Sequence, residues 1–171
     1  MIGYKSSIFL NSFLNQNIYF DYLVYFFAQI FPFLVFGFFV WYFLFKQQNL
    51  VGFLRVFLIT IFSWGLSEIL KFAFSFPRPF VLLPEVNALF SFGSQDSFPS
   101  GHATVFFALG TAIYFENKKL GCLFLIFGVF ISISRVFSGV HYIHDILAGA
   151  ILGVLVALFG YKYLHLLRNK S

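Results

Sequence analysis

Long apolar runs leave this chain few ways to fold. Ile18–Phe45, Leu50–Phe76, Leu120–Phe137 and His144–Leu166 approach or exceed the roughly 20 residues an α-helix needs to cross a bilayer. Ala103–Phe115 is shorter and reaches a spanning length only if Ser100–His102 begin its helix, as we expect. Backbone polar groups find no water in hydrocarbon, so each run must bond within itself. Composition agrees: 10% of residues are charged, against about 25% in soluble domains. The expectation is an all-α integral membrane bundle of about five transmembrane helices. Met1–Asn17 is too short and too polar to span, and reads as a short interfacial helix. The whole chain, 1–171, is expected to form a single domain.

Punctuation falls between the runs. Pro32 should kink the first span, while Pro77 and Pro79 end the second, since neither donates a backbone bond. Phe80–Pro99 carries Pro84, Asn87, Gly93, Ser94, Gln95 and Asp96 and reads as a long non-helical connection. Glu116-Asn117-Lys118-Lys119 is a polar turn, and Ser138-Gly139 a bend. Gly149 and Gly153, four apart, offer a small-residue face for close helix packing.

Five spans place the termini on opposite sides. Lys46, Arg55, Lys118, Lys119, Lys162, Arg168 and Lys170 then share one side, and Lys5, Lys71, Arg78 and Arg135 the other. The richer side is expected to be cytoplasmic. The net charge of +5 is thereby explained by membrane topology, and no nucleic-acid partner is expected. The partner is the bilayer itself.

Three of the four outward basic residues fall in clusters at helix ends. Lys71 precedes Arg78-Pro79; Phe98-Pro99-Ser100-Gly101-His102 leads into the third span; Arg135, His141 and Asp145 lie across the fourth and fifth. Ionisable groups at membrane depth are costly and mark function. Lys71, Arg78 and Arg135 suit a dianionic group, Arg by its planar fork and Lys as a point charge. Ser100 and Gly101 at a helix start offer N–H groups to an anion. His141 and Asp145 are one helical turn apart, so the carboxylate can hold one ring nitrogen and leave the other to attack phosphorus. His102 is placed to protonate the leaving oxygen. His102, His141, His144 and Asp145 are ligand types a zinc site could use, but three cations in one pocket oppose a dication; no metal and no cofactor are expected. Glu68, three residues before Lys71, either orients that lysine or merely offsets its charge. His144 reads as an interfacial histidine that could also touch the residues behind the site, Tyr142 as lipid-facing by default with substrate contact as the alternative, and His165 as a cytoplasmic-end residue without a catalytic role.

Lys71-x6-Arg78-Pro79, Pro99-Ser100-Gly101-His102 and Ser134-Arg135-x5-His141-x3-Asp145 resemble the three signature motifs of the type 2 phosphatidic acid phosphatase superfamily. The resemblance covers a motif-bearing core at 68–150. It implies a membrane lipid phosphatase with His141 as nucleophile, Asp145 as its partner, His102 as general acid, and Lys71, Arg78, Ser100, Gly101 and Arg135 as phosphate binders. Many relatives have six spans; the one lacking here would be the first, which carries no motif. Asn11–Leu44 is similar to the shorter members acting on undecaprenyl diphosphate. That implies a bacterial plasma-membrane protein with its site outward and its C-terminus cytoplasmic. Phosphatidic acid, phosphatidylglycerol phosphate and lipid A remain alternative substrates, and a non-enzymatic lipid-phosphate carrier remains an alternative class.

Overall fold

A computed structural model describes residues 2–90 and 95–168, with side chains for 4–90 and 95–164. Gly93, Ser94 and Lys170 lie outside the described residues, as do the side chains of His165 and Arg168. Helix α1 (Ile2–Asn11) precedes α2 (Ile18–Tyr25) and α3 (Phe31–Trp41); then follow α4 (Leu50–Phe74), the short α5 (Pro79–Leu82), α6 (Gly101–Glu116), α7 (Lys118–Phe137) and α8 (Ile143–Arg168). Two π turns, Phe26–Ile30 and Tyr42–Lys46, extend α2 and α3 into one continuous helix, Ile18–Lys46. Among the described residues the only β pairing reported is an isolated antiparallel bridge, Pro77 with Asp96.

Four helices are long and apolar enough to cross a membrane: Ile18–Lys46, Leu50–Phe74, Lys118–Phe137 and Ile143–Leu164. The expected third span, α6, has 16 residues, about 24 Å at 1.5 Å per residue. It begins at Gly101 with Ser100 as its N-cap, as expected, and is the most enclosed helix, packed against α4, α7 and α8. Its buried face is Ala103, Thr104, Phe106 and Ala108–Ile113.

Small residues set that packing. Lipid tails are as apolar as side chains, so helices in a bilayer gain from close contact rather than from exclusion of water. A Cβ on Gly149 would meet the Ser100 carbonyl oxygen at 2.6 Å, and one on Gly153 would collide with the Thr104 carbonyl. The glycine pair is therefore a close-approach face of α8 on α6.

One local expectation needs correction. The 80–99 connection is not wholly irregular: α5 opens it at Pro79, a residue whose missing N–H costs nothing at a helix start. Pro32 sits just after the first π turn, whose backbone closes through Phe31 N–H to the Phe26 carbonyl. The wider turn accommodates the absent donor within a continuous span. At one end of the bundle Arg55 pairs with Glu116, with the Tyr161 hydroxyl 3.3 Å from the same carboxylate. All three motif segments lie at the other end.

Candidate active site

Helix α4 delivers one face of the site. Trp64, Glu68 and Lys71 follow one another at helical spacing and line a cavity of about 350 Å³. Lys71 Nζ lies 2.7 Å from Glu68 Oε1. The contact that the orienting reading of Glu68 requires is therefore made. Beyond the end of α4, Arg78 is pinned by its N–H to the Gln95 carbonyl at 2.9 Å. Ser97 returns its N–H to the Phe76 carbonyl, which fastens the connection to the motif segment. Burial lowers the pKa of the Arg78 guanidinium, while Asp145, Asp96 and Glu68 act the other way. Asp96, one of the loop residues of the 80–99 connection, thus also supports the cation.

Helix α6 supplies Gly101, His102, Val105 and Phe106 to the cavity. Ser100 behaves differently from expectation. Its N–H donates to the Asp145 carbonyl at 3.1 Å, so that group is not available to an anion. Its hydroxyl is buried and has no hydrogen-bond partner among the described residues. The hydroxyl is therefore the Ser100 hydrogen-bonding group left unpaired.

The turn from α7 to α8 completes the cavity with Arg135 and His141. Gly139 has φ +75, a left-handed conformation that suits glycine, and an added Cβ would meet the Asn87 carbonyl at 2.7 Å. Asn11 secures this corner: it donates to the Asn87 and Phe137 carbonyls at 2.8 and 3.0 Å and accepts from Asn87 N–H. His141 Nδ1 lies 3.4 Å from Asp145 Oδ2, which also accepts the Tyr142 N–H at 2.8 Å. The carboxylate thus fixes the ring and leaves Nε2 for the cavity.

His141 is 2% exposed. Burial holds its pKa down at about 4; the Asp145 bond opposes this, and Arg135 and Arg78 reinforce it. The imidazole is neutral, and so nucleophilic, at pH 7. Because the folded value lies below 6.5, the unfolded chain binds more protons between pH 6.5 and 4, and this residue's contribution to stability is lost as pH falls through that window. In an NMR titration of histidine-labelled protein, the His141 signal should keep its neutral shift at pH 6 and change near pH 4. A midpoint at or above 6.5 would contradict this electrostatic picture.

Lys71, Arg78, Gly101, His102, Arg135 and His141 thus share one cavity, with Asp145 directly behind His141. Tyr142 is a correction. It is fully buried rather than lipid-facing, stacked on His144 with centroids 5.0 Å apart and edge-on to Tyr4 and Phe76. His144 Nε2 is 3.3 Å from Asp145 Oδ1, so it backs the carboxylate while its side chain is 47% exposed. Sequence reasoning missed Trp64, Val105 and Phe106, although Trp64 stands four and seven residues before Glu68 and Lys71 on the same helix face.

A model of the PAP2 superfamily matches residues 52–168. The chain is 37% identical over 150 residues to a protein of Bacillus licheniformis named bacitracin transport permease protein BcrC, covering 86% of this chain and 70% of that one. It is 35% identical over 92 residues to the undecaprenyl-diphosphatase BcrC of Bacillus subtilis (strain 168), covering 54% of this chain and 47% of that one. The fold resembles the crystal structure of Aquifex aeolicus LpxE, with a TM-score of 0.79 at 24% identity over 95% of this chain and 96% of that chain. It also resembles a PAP2-type phosphatidylglycerolphosphate phosphatase from Bacillus subtilis, with a TM-score of 0.69 at 21% identity, over 94% of this chain and 85% of that chain.

Proposed function

The chain belongs to the PAP2 superfamily and is a multi-pass membrane lipid phosphatase of that type; from that premise we propose that it hydrolyses undecaprenyl diphosphate through a phosphohistidine on His141. The observation that carries this reading is the buried His141–Asp145 pair facing a cavity with three cations, Lys71, Arg78 and Arg135. The terminal phosphate sits among the cations and the Gly101 backbone. His141 Nε2 attacks phosphorus, the bond to the bridging oxygen breaks, and undecaprenyl phosphate leaves, with His102 near enough to supply a proton. His102 then takes a proton from water as it attacks the phosphohistidine, which releases inorganic phosphate. The three cations stabilise the charge that spreads over the equatorial oxygens.

The preference for a diphosphate rests on the relative named as an undecaprenyl-diphosphatase and on the number of cations. Lys46, Arg55, Lys118, Lys119 and Lys162 at the opposite end support a plasma-membrane protein with this cavity outward and its C-terminus cytoplasmic. The motif-bearing segment 68–150 serves as the catalytic core of a single domain, 1–171.

One relative is named a bacitracin transport permease, which keeps transport as a second reading; for this cationic cavity the cargo would be a lipid phosphate. A carrier needs no buried imidazole–carboxylate pair. Phosphate release should be measured in proteoliposomes from undecaprenyl diphosphate, phosphatidic acid, phosphatidylglycerol phosphate and lipid A, each with and without EDTA. The expected result is the highest kcat/KM for the diphosphate, unchanged by EDTA. Faster turnover of another substrate would replace the substrate, and release from none would favour the carrier. Loss in EDTA with recovery on adding zinc or magnesium would overturn the metal-free mechanism.

A further inference from the structure

Arg135 is held by two pieces of chain that carry no motif. Its Nη1 donates to the Ala28 carbonyl at 3.1 Å, and its guanidinium carbon lies 5.0 Å from the centre of the Phe90 ring. Ala28, Phe90 and Val140 form a small buried cluster, 0%, 8% and 0% exposed, with Phe80 and Leu89 packed against it. Arg135 itself is 5% exposed, and its Nε has no hydrogen-bond partner among the described residues.

The Ala28 carbonyl belongs to the π turn Phe26–Ile30. In a regular α-helix it would accept from the residue four positions on. That residue is Pro32, which has no N–H. The proline therefore leaves a carbonyl deep in the first span without its usual helical donor. An arginine from α7 fills the role.

A carbonyl and a ring face restrain a guanidinium without neutralising it, which a carboxylate would do. The cation keeps its charge, and its orientation is set before an anion arrives. We propose that Pro32, Ala28 and Phe90 are positioning residues that clamp Arg135 and thereby set the affinity of the cavity for a tetrahedral phosphate. The inference rests on the reading of Arg135 as a phosphate binder. It gives the first span and the 80–99 connection a part in specificity.

The test uses the full chain in detergent micelles, with inorganic phosphate and vanadate as competitive probes and a short-chain lipid phosphate as substrate. Pro32→Ala restores a donor for Ala28 and Phe90→Leu removes the ring. Each should weaken inhibition by both anions ~10-fold and raise KM comparably, with kcat within ~3-fold. Phe90→Tyr keeps the ring and should retain wild-type inhibition. Arg135→Ala should weaken inhibition further, and Pro32→Ala or Phe90→Leu added to it should have no additional effect. If Pro32→Ala does not fold, the Phe90→Leu and Phe90→Tyr pair carries the test. Unchanged inhibition in Pro32→Ala and Phe90→Leu, beside a large loss in Arg135→Ala, would overturn the clamp and spare the phosphate site. Full additivity with Arg135→Ala would overturn it too. Unchanged inhibition in Arg135→Ala would overturn the clamp together with the proposed site.

Discussion

Replacing His141 with alanine should lower kcat for lipid phosphate hydrolysis by ~10³-fold or more, while inorganic phosphate still binds within a few-fold of wild type. His141 is the imidazole that Asp145 holds at 3.4 Å with its second nitrogen left for the cavity. On the proposed reading anion binding rests on other groups that line the cavity, namely Lys71, Arg78, Gly101 and Arg135. A carrier would respond differently, because its transport would survive loss of the nucleophile. Purified variant and wild type should be compared for phosphate release and for phosphate inhibition of lipid binding. Retained turnover in His141→Ala would remove the nucleophile from the mechanism.

Replacing His102 with alanine should cost ~10²–10⁴-fold, the range expected for a general acid, and the cost should depend on the leaving group. A monoester such as phosphatidic acid expels an alkoxide and needs the proton most. A diphosphate expels a phosphate, which leaves without full protonation. The loss should therefore sit near the upper end of that range for phosphatidic acid and near the lower end for undecaprenyl diphosphate. Measuring kcat for both substrates in both proteins gives the ratio. Equal losses would mean that His102 binds or orients substrate instead of donating a proton. The position of His102 beside Gly101 and Arg135 in one cavity makes the donor role available to it.

The bundle was legible because hydrocarbon permits few structures. Apolar runs of spanning length between polar turns can only be helices, and the four long ones are found where the runs lie. The cavity was legible because its charged residues are expensive at helix ends and topology carries them to one face. What remained hidden depends on contacts between distant segments. The fate of the Ser100 N–H is decided by Asp145, 45 residues on. Tyr142 reads as lipid-facing from its place at a membrane edge, yet Tyr4, Phe76 and His144 enclose it. Asn11 looks like ordinary N-terminal polarity, and only the folded chain shows it bonded to Asn87 and Phe137. Pro32 announces a disturbance in the first span, but nothing in the local sequence says which donor will use the carbonyl it leaves.

The central claim is that the three motif segments present one phosphate to His141. Its most direct measurement is rapid acid-free quenching of the enzyme during turnover of a terminally ³²P-labelled polyprenyl diphosphate, followed by peptide mapping. The expected result is an alkali-stable, acid-labile label on His141. The label should be absent from His141→Ala and should accumulate in His102→Ala, where water is no longer activated. Label on any other residue, or turnover with no labelled protein at any time point in His102→Ala, would contradict it.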